Sequence, residues 1–240
     1  MAVPDFVLED LARLELEVPA GQLEQLEGYL HRVLEQNKRM NLTAFKEVDT
    51  AWQRLIVDSL TAAPGMPEPG PEVGPIADIG TGGGFPGVPL AIVRPDLQFN
   101  LVETTTKKAE FVNAAAEAVG AANVTVINER AEVVGRHPEF RAVHEVVVSR
   151  AVGAIAVVLE WSMPLARVGG RCLLMKGPRA EAELEAAADA LAKLGAGEVA
   201  VIDAYPEGFD NQLVFVSVVK AERTAGRFPR EPGAAKREPL

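Results

Sequence analysis

A short apolar run that breaks into glycines constrains this chain more than any other feature. Pro75 to Ile79 reads as a buried strand carrying Asp78 near its end, and Gly80-Thr-Gly82-Gly-Gly84 comes directly after it. The segment Phe85 to Val93 is apolar again and suits a helix. Glycines let a backbone turn sharply and approach a ligand with no Cβ in the way. The helix start beyond them offers free N–H groups to an anion or a polar ligand. Strand, glycine turn and helix in this order make a ligand cradle at the C-terminal end of a strand.

From Pro75 onward the chain alternates between strands and helices. Strands are expected at Leu97–Val102, Val124–Asn128, Glu145–Val148 and Gly170–Lys176, with helices near Lys107–Val119, Ala154–Leu165 and Ala180–Leu194. Such alternation implies a parallel sheet covered by helices on both faces. Two late strands, Val199–Ala204 and Leu213–Val219, are joined only by a short loop through Gly208, so they pair antiparallel at the sheet edge. No internal repeat is present.

The glycine loop can be read in two frames. As Asp78-x-Gly80-x-Gly82-x-Gly84 it resembles the first motif of S-adenosylmethionine methyltransferases. As Gly82-Gly-Gly84-Phe-Pro-Gly87 it is a literal dinucleotide fingerprint. The second frame is the weaker, because its first glycine should follow the strand directly and the glycine in that place is Gly80. Glu103 ends the next strand and suits ribose hydroxyls, which both cofactors carry. An antiparallel pair at the sheet edge is typical of the methyltransferase fold and not of a dinucleotide domain.

Composition narrows the rest. At 240 residues with 48% hydrophobic content, one sizeable core is expected. No apolar run approaches the roughly 18 residues of a membrane span, and Met1-Ala-Val-Pro-Asp-Phe has no secretory pattern. Cys172 is the only cysteine, which excludes an internal disulfide and suits a reducing cytoplasm. It lies in an apolar strand, as a buried inert thiol would. His31, His137 and His144 show no metal-ligand spacing, so no metal is expected.

The net charge of −10 speaks against a polyphosphate partner, but its distribution matters more. Residues 1–36 hold eight acids and two arginines, whereas residues 220–240 hold six cations and three acids. A local basic surface is compatible with an acidic total. Residues 5–16, 20–36 and 48–63 show helical character, with Leu23, Leu26, Leu30, Val33 and Leu34 on one stripe. The organisation expected is an N-terminal helical subdomain over residues 1–63 and a Pro/Gly linker over 64–74. A catalytic-type domain over 75–220 and a basic tail over 221–240 complete it.

Arg130, Arg150 and Lys176 follow the third, fourth and fifth strands of the sheet and are expected to share the crevice beyond the strand ends. The fourth strand ends in Val148-Ser-Arg-Ala and lacks the Asn/Asp-Pro-Pro-aromatic motif of exocyclic-amine methylation. Nor does any cysteine stand where pyrimidine-C5 chemistry would use it.

The chain resembles the bacterial small-subunit ribosomal RNA guanine-N7 methyltransferases, the glucose-inhibited division protein B family. The likeness runs from about Asn37 to the C-terminus. It rests on Asn37-Lys-Arg-Met-Asn41-Leu-Thr43, Val57-Asp58-Ser59-Leu60, Asp78 to Gly87 with Ile92-Val-Arg94-Pro95, Arg130-Ala-Glu132, Ser149-Arg150-Ala151 and Lys176-Gly177. The ending, Phe228-Pro-Arg230-x-Pro232-Gly233 and Lys236-x-x-Pro239-Leu240, matches as well. Leu55 and Asp210-Asn211-Gln212 depart from the family's usual histidine and Glu-Arg-His.

The resemblance implies a class I, Rossmann-like α/β methyltransferase fold with an antiparallel edge strand, and S-adenosylmethionine as cofactor. It implies a guanine of the 530 loop in small-subunit ribosomal RNA, or the subunit itself, as partner to a monomer. Candidate cofactor residues are Asp78, Gly80, Gly82, Phe85, Glu103, Thr104, Thr105, Ala131, Glu132 and Arg150. Candidate RNA residues are Asn37, Asn41, Arg130, Arg150, Lys176, Arg227, Arg230 and Arg237. Arg150 and Lys176 are the candidates for positioning the reactants, and the basic tail is expected to pack back on the domain without shaping the cofactor pocket. Methylation of another acceptor, or RNA binding without catalysis, are the alternatives that the residues leave open.

Overall fold

In a computed structural model, residues 3–209 and 211–240 are described. Seven strands form one sheet in the order β3-β2-β1-β4-β5-β7-β6. β1 (Ile76–Ile79) is central, with β2 (Phe99–Val102) and then β3 (Val124–Ile127) on one side. β4 (His144–Arg150) and β5 (Ala166–Lys176) lie on the other, and all five run parallel. All four residues of β1 are buried, as a strand covered on both faces requires. β6 (Ala196–Asp203) and β7 (Val214–Lys220) pair antiparallel, as expected from their short connection. The reversed strand is β7, which inserts between β5 and β6 and leaves β6 at the edge.

Register fixes the site. Asp78 stands level with Leu101 of β2 and Val148 of β4, so the three strands end together. Strand order reverses between β1 and its two neighbours, β2 leading one way and β4 the other. Ligands of open α/β sheets bind beyond the strand C-termini at such a switch point.

Two helical layers cover the sheet. On one face lie α1 (Asp5–Arg13), α2 (Ala20–Asn37), α3 (Val48–Ala51), α4 (Asp58–Leu60), α5 (Gly87–Val93) and α6 (Thr106–Ala118). A π-wound stretch, Trp52–Val57, joins α3 to α4 without a break. Leu26, Tyr29, Trp52 and Ile56 from these helices share one core with Ile76, Phe99 and Leu101 of the sheet. The N-terminal helices therefore complete a layer of the fold instead of enclosing a core of their own.

On the other face lie α7 (Ala131–Val134), α8 (Ile155–Ser162), α9 (Ala180–Glu185), α10 (Ala188–Leu194) and α11 (Ala234–Arg237). The single helix expected over 180–194 is two helices, α9 and α10. All eight residues of α8 are buried, because the sheet packs on one side of it and the C-terminal segment on the other. Phe228 and Ala235 of that segment are buried in this second core, so the tail does pack back as expected.

Candidate cofactor site and its RNA-facing rim

The glycine loop joins β1 to α5 with a backbone that other residues could not follow. Gly80, Gly82 and Gly84 have φ of 69°, 59° and 90°, in the left-handed region. Space divides their roles. A Cβ on Gly84 would collide with the Tyr29 hydroxyl, and one on Gly87 with Leu101 and the Asp78 carboxylate. A Cβ on Gly82 would meet nothing nearer than the Gly80 carbonyl at 3.9 Å. Gly84 and Gly87 are bare because protein packs against them, while Gly82 borders open space.

Asp78 lies beneath this loop, 1% exposed. Its Oδ2 accepts hydrogen bonds from Thr81 Oγ1 at 2.6 Å and from the Gly87 amide at 2.9 Å, so it ties the loop to the helix start. Oδ1 is buried with no partner. Burial raises the carboxyl to about 6, against the pull of those two hydrogen bonds. A buried, orphaned carboxylate oxygen beside a glycine turn fits the ammonium or hydroxyl end of a polar cofactor.

The loop has a second anchor that the sequence did not reveal. Tyr29 of α2 is fully buried and donates to the Gly83 carbonyl at 2.8 Å. Its ring meets Phe85 edge to face, with centroids 5.7 Å apart. A helix outside the alternating βα region thus holds the cradle. In the sequence Tyr29 is one more apolar position on a helical stripe, and only the fold shows that its hydroxyl has a use.

Glu103, at the end of β2, is 7% exposed. Oε2 accepts from the Gly82 amide at 3.0 Å and Oε1 from the Thr105 amide at 2.7 Å. Oε1 also accepts from Thr104 Oγ1 at 3.4 Å, so Oε2 is the oxygen that keeps a second lone pair for a diol donor. Next to it a cleft is lined by Gly80, Thr104, Arg130, Ala131, Glu132 and Trp161. Glu132 is 3% exposed; burial opposes its charge, but hydrogen bonds from the Gly233 amide and Arg130 hold it below the usual carboxylate range. Most of the expected cofactor residues therefore converge on two adjoining spaces, the glycine loop and this cleft.

Lys236 also lines the cleft, with its ammonium 5.2 Å from the Trp161 ring centroid. The tail therefore reaches the cleft beside Glu103, which was expected to be built from the strand ends alone. The short helix α11 docks on α8 and carries Lys236 over the rim.

Arg150 occupies the other side, toward the N-terminal helices. Its guanidinium stands 5.6 Å from the Phe85 ring centroid, and Nη1 donates to the Arg54 carbonyl at 2.6 Å. Asp58, 5% exposed, accepts from Tyr205 at 2.5 Å and Asn211 at 3.2 Å and lies 3.7 Å from Arg54. Burial raises its carboxyl, and the Tyr205 hydrogen bond works the other way. Asn211 is one of the positions departing from the family pattern, and here it serves this buried cluster. Asp210 lies outside the described residues, and Gln212 is exposed. Leu55, the other departure, is apolar core at 1% exposure.

The cations expected to share one crevice are each engaged separately. Arg130 pairs with Glu132 at 3.2 Å. Lys176 donates to the Gly153 carbonyl at 2.7 Å and pairs with Glu183 at 2.6 Å, so its charge is committed to α9. Two of the residues expected to face RNA are engaged by the protein itself. Asn37 accepts from the Leu42 and Thr43 amides at 2.9 and 3.0 Å and donates to the Thr43 carbonyl, which makes it the brace of the loop after α2. Arg230 grips both oxygens of Glu160, itself 1% exposed, at 2.9 and 2.6 Å, and is the tail's clasp. Asn41, Arg227 and Arg237 remain on the exposed surface. Cys172 is fully buried against Met163 and its thiol is pushed up to about 12 by burial, in keeping with an inert role.

A β7-inserted sheet with a glycine cradle after β1 and an acid after β2 defines a class I S-adenosylmethionine-dependent methyltransferase. A solved predicted O-methyltransferase of Agrobacterium tumefaciens has the same fold, with TM-score 0.53 at 22% identity over 69% of this chain and 81% of that one. Residues 22–209 match the model of the family described as rRNA small subunit methyltransferase G, and the chain belongs to that family. A protein of that name from Lactobacillus delbrueckii subsp. bulgaricus is 36% identical over 99% of both chains. Another, from Sorangium cellulosum, is 40% identical over 96% of this chain and 92% of its own. S-adenosylmethionine is the cofactor of the family; the open Gly82 flank leaves room for it, and the orphaned Asp78 oxygen and Glu103 are acceptors that fit its ammonium and ribose hydroxyls. Among the described residues no helix is long and apolar enough to cross a membrane, and no cluster of potential metal ligands occurs.

Proposed function

We propose that this protein methylates ring nitrogen N7 of a guanine in the 530 loop of small-subunit ribosomal RNA. Family membership supports the reaction and the RNA; the division of the site into a nucleoside cleft and a Phe85–Arg150 rim supports how the two reactants are held.

When bound, S-adenosylmethionine supplies an electrophilic methyl group. Guanine N7 carries a lone pair and no proton, so the residues around it have no proton to remove. Their work is alignment, which can contribute up to ~7–11 kcal/mol in favourable cases. Glu103 and Glu132 would accept hydrogen bonds on the nucleoside side, Asp78 beside the open Gly82 flank would receive the polar chain, and Tyr29 keeps the loop in place. Arg150 offers a flat cationic plane against which an unstacked purine can lie, and the buried Phe85 ring backs the loop behind it. The Arg54 carbonyl holds Arg150 by a hydrogen bond, and the nearby Asp58 carboxylate attracts its charge.

The observation that carries this reading is the Arg150 guanidinium, held beside the glycine loop 5.6 Å from the Phe85 ring centroid. Arg150→Met should leave cofactor affinity within a few-fold while cutting turnover on ribosomal RNA sharply. Equal loss of cofactor binding and turnover would place Arg150 on the cofactor alone.

A further inference from the structure

The C-terminal segment takes a defined path from the far end of the sheet to the cleft beside Glu103. Arg141 receives it first, donating to the Thr224 and Phe228 carbonyls at 2.9 and 2.8 Å. Arg230 then clasps the buried Glu160 through both its guanidinium and its backbone amide. Gly233, with φ of 82°, donates its amide to Glu132 Oε1 at 2.8 Å. The turn starts α11, whose Ala235 is 1% exposed against α8. Three successive anchors thus leave one side chain, Lys236, projecting over the cleft rim beside Trp161.

The contact recorded for the Lys236 ammonium is the Trp161 ring, 5.2 Å to its centroid. The Lys236 backbone is ordered by its neighbours, and among the described residues no carboxylate stands within ion-pair distance of its ammonium. Yet the cleft that it lines also contains Glu103, Glu129 and Glu132. Trp161, 5% exposed, lines the same cleft, and its indole nitrogen is buried without a partner. Adenosine presents ring nitrogens that only accept hydrogen bonds and hydroxyls that can donate them. Carboxylates can serve the hydroxyls and an exocyclic amine, but a ring nitrogen needs a donor. Arg130, the other cation of the cleft, already points at Glu132.

We propose that Lys236 recognises the purine of the cofactor, its ammonium donating a hydrogen bond to a ring nitrogen, so that the C-terminal segment forms the outer side of the nucleoside pocket. This rests on the reading of the cleft as the nucleoside site. It makes the tail a determinant of cofactor affinity and not only a basic surface.

Calorimetry on the full chain with S-adenosylmethionine, S-adenosylhomocysteine and adenosine tests it. Lys236→Met keeps the apolar stem and removes the donor, and Lys236→Arg restores one. Lys236→Met should weaken all three ligands about tenfold or more, the effect of losing a charged hydrogen-bond donor. Lys236→Arg should recover part of the loss, with the ligand-free melting temperature unchanged in both. Unchanged affinity for adenosine in Lys236→Met would overturn the proposal. So would tighter binding of the sulfonium form with no change for the neutral homocysteine form, because that pattern reports charge repulsion at a distance. Gly82→Ala separates the two readings: if it removes binding while Lys236→Met does not, the cofactor site stands and the role of the tail falls.

Discussion

Removing one oxygen atom from Tyr29 should loosen the cofactor loop. In Tyr29→Phe the ring remains against Phe85 at the same 5.7 Å centroid distance, so packing is conserved and only the hydroxyl is lost. That hydroxyl is the donor to the Gly83 carbonyl at 2.8 Å, and both residues are buried. A buried acceptor left without its donor costs about 1–3 kcal/mol, more than the net value of an average hydrogen bond. In a chain of this length the melting temperature should fall by roughly 2–4 °C per kcal/mol. The effect is also local. The Gly84 and Phe85 amides, which bond the Thr81 carbonyl at 2.9 Å, should exchange with deuterium faster than amides of β1 or β4. Urea unfolding, hydrogen exchange and calorimetry with S-adenosylmethionine check the three consequences. A change in stability below about 0.5 kcal/mol, with loop exchange and cofactor affinity intact, would refute the reasoning, since a hydroxyl that anchors the loop lies outside the small range of ordinary surface changes.

Other substitutions separate packing from binding. Gly82→Ala places a methyl group in the one open flank of the loop and forces a left-handed residue, so it should cost about 1–2 kcal/mol of stability and abolish detectable cofactor binding; normal affinity by calorimetry would contradict it. Asp78 is held at about 6 by burial, above its ordinary value of 3.8. Between pH 4 and 6 the folded state therefore binds the proton that the unfolded state releases, so the Asp78 contribution to ligand-free stability falls as pH rises through that window. Asp78→Asn should remove that fall, seen by urea melts across the window, while weakening cofactor binding at neutral pH. Arg230→Met strands the buried Glu160 and should cost ~3–5 kcal/mol with little effect on RNA salt dependence. The exposed pair Arg227→Gln and Arg237→Gln should do the reverse, flattening the slope of log affinity against log salt by up to about 1.4 at roughly 0.7 per phosphate; an unchanged slope would remove the tail from the RNA interface.

Much of the sheet was legible because its signals are local. The β1 apolar run, the glycines with positive φ and the acid after β2 each follow from their own neighbours in the chain. What escaped reading depends on contacts between distant segments. Tyr29 reaches Gly83 across 54 residues, and Arg230 reaches Glu160 across 70. Nothing local tells a tyrosine on a helical stripe from one that anchors a loop, or a tail arginine that binds phosphate from one that clasps a carboxylate. The same limit explains Asn37, whose side chain bonds only six residues away but whose amide could equally have faced RNA. The role of Lys236 needed both the path of the tail and the position of Trp161. The insertion of β7 inside β6 likewise depends on which strand finds β5, which the short connecting loop does not decide.

The central claim is that the cradle serves methyl transfer to guanine N7. The most direct measurement is on small-subunit ribosomal RNA from cells lacking this gene, carrying either the intact gene or its Gly82→Ala form. Borohydride reduction and aniline cleavage followed by primer extension, with nucleoside mass spectrometry, locate and identify the product. The intact gene should restore one 7-methylguanine in the 530 loop, and the Gly82→Ala form should not. A methyl group on an exocyclic amine or a ribose hydroxyl, or restoration of 7-methylguanine by the Gly82→Ala form, would contradict the account.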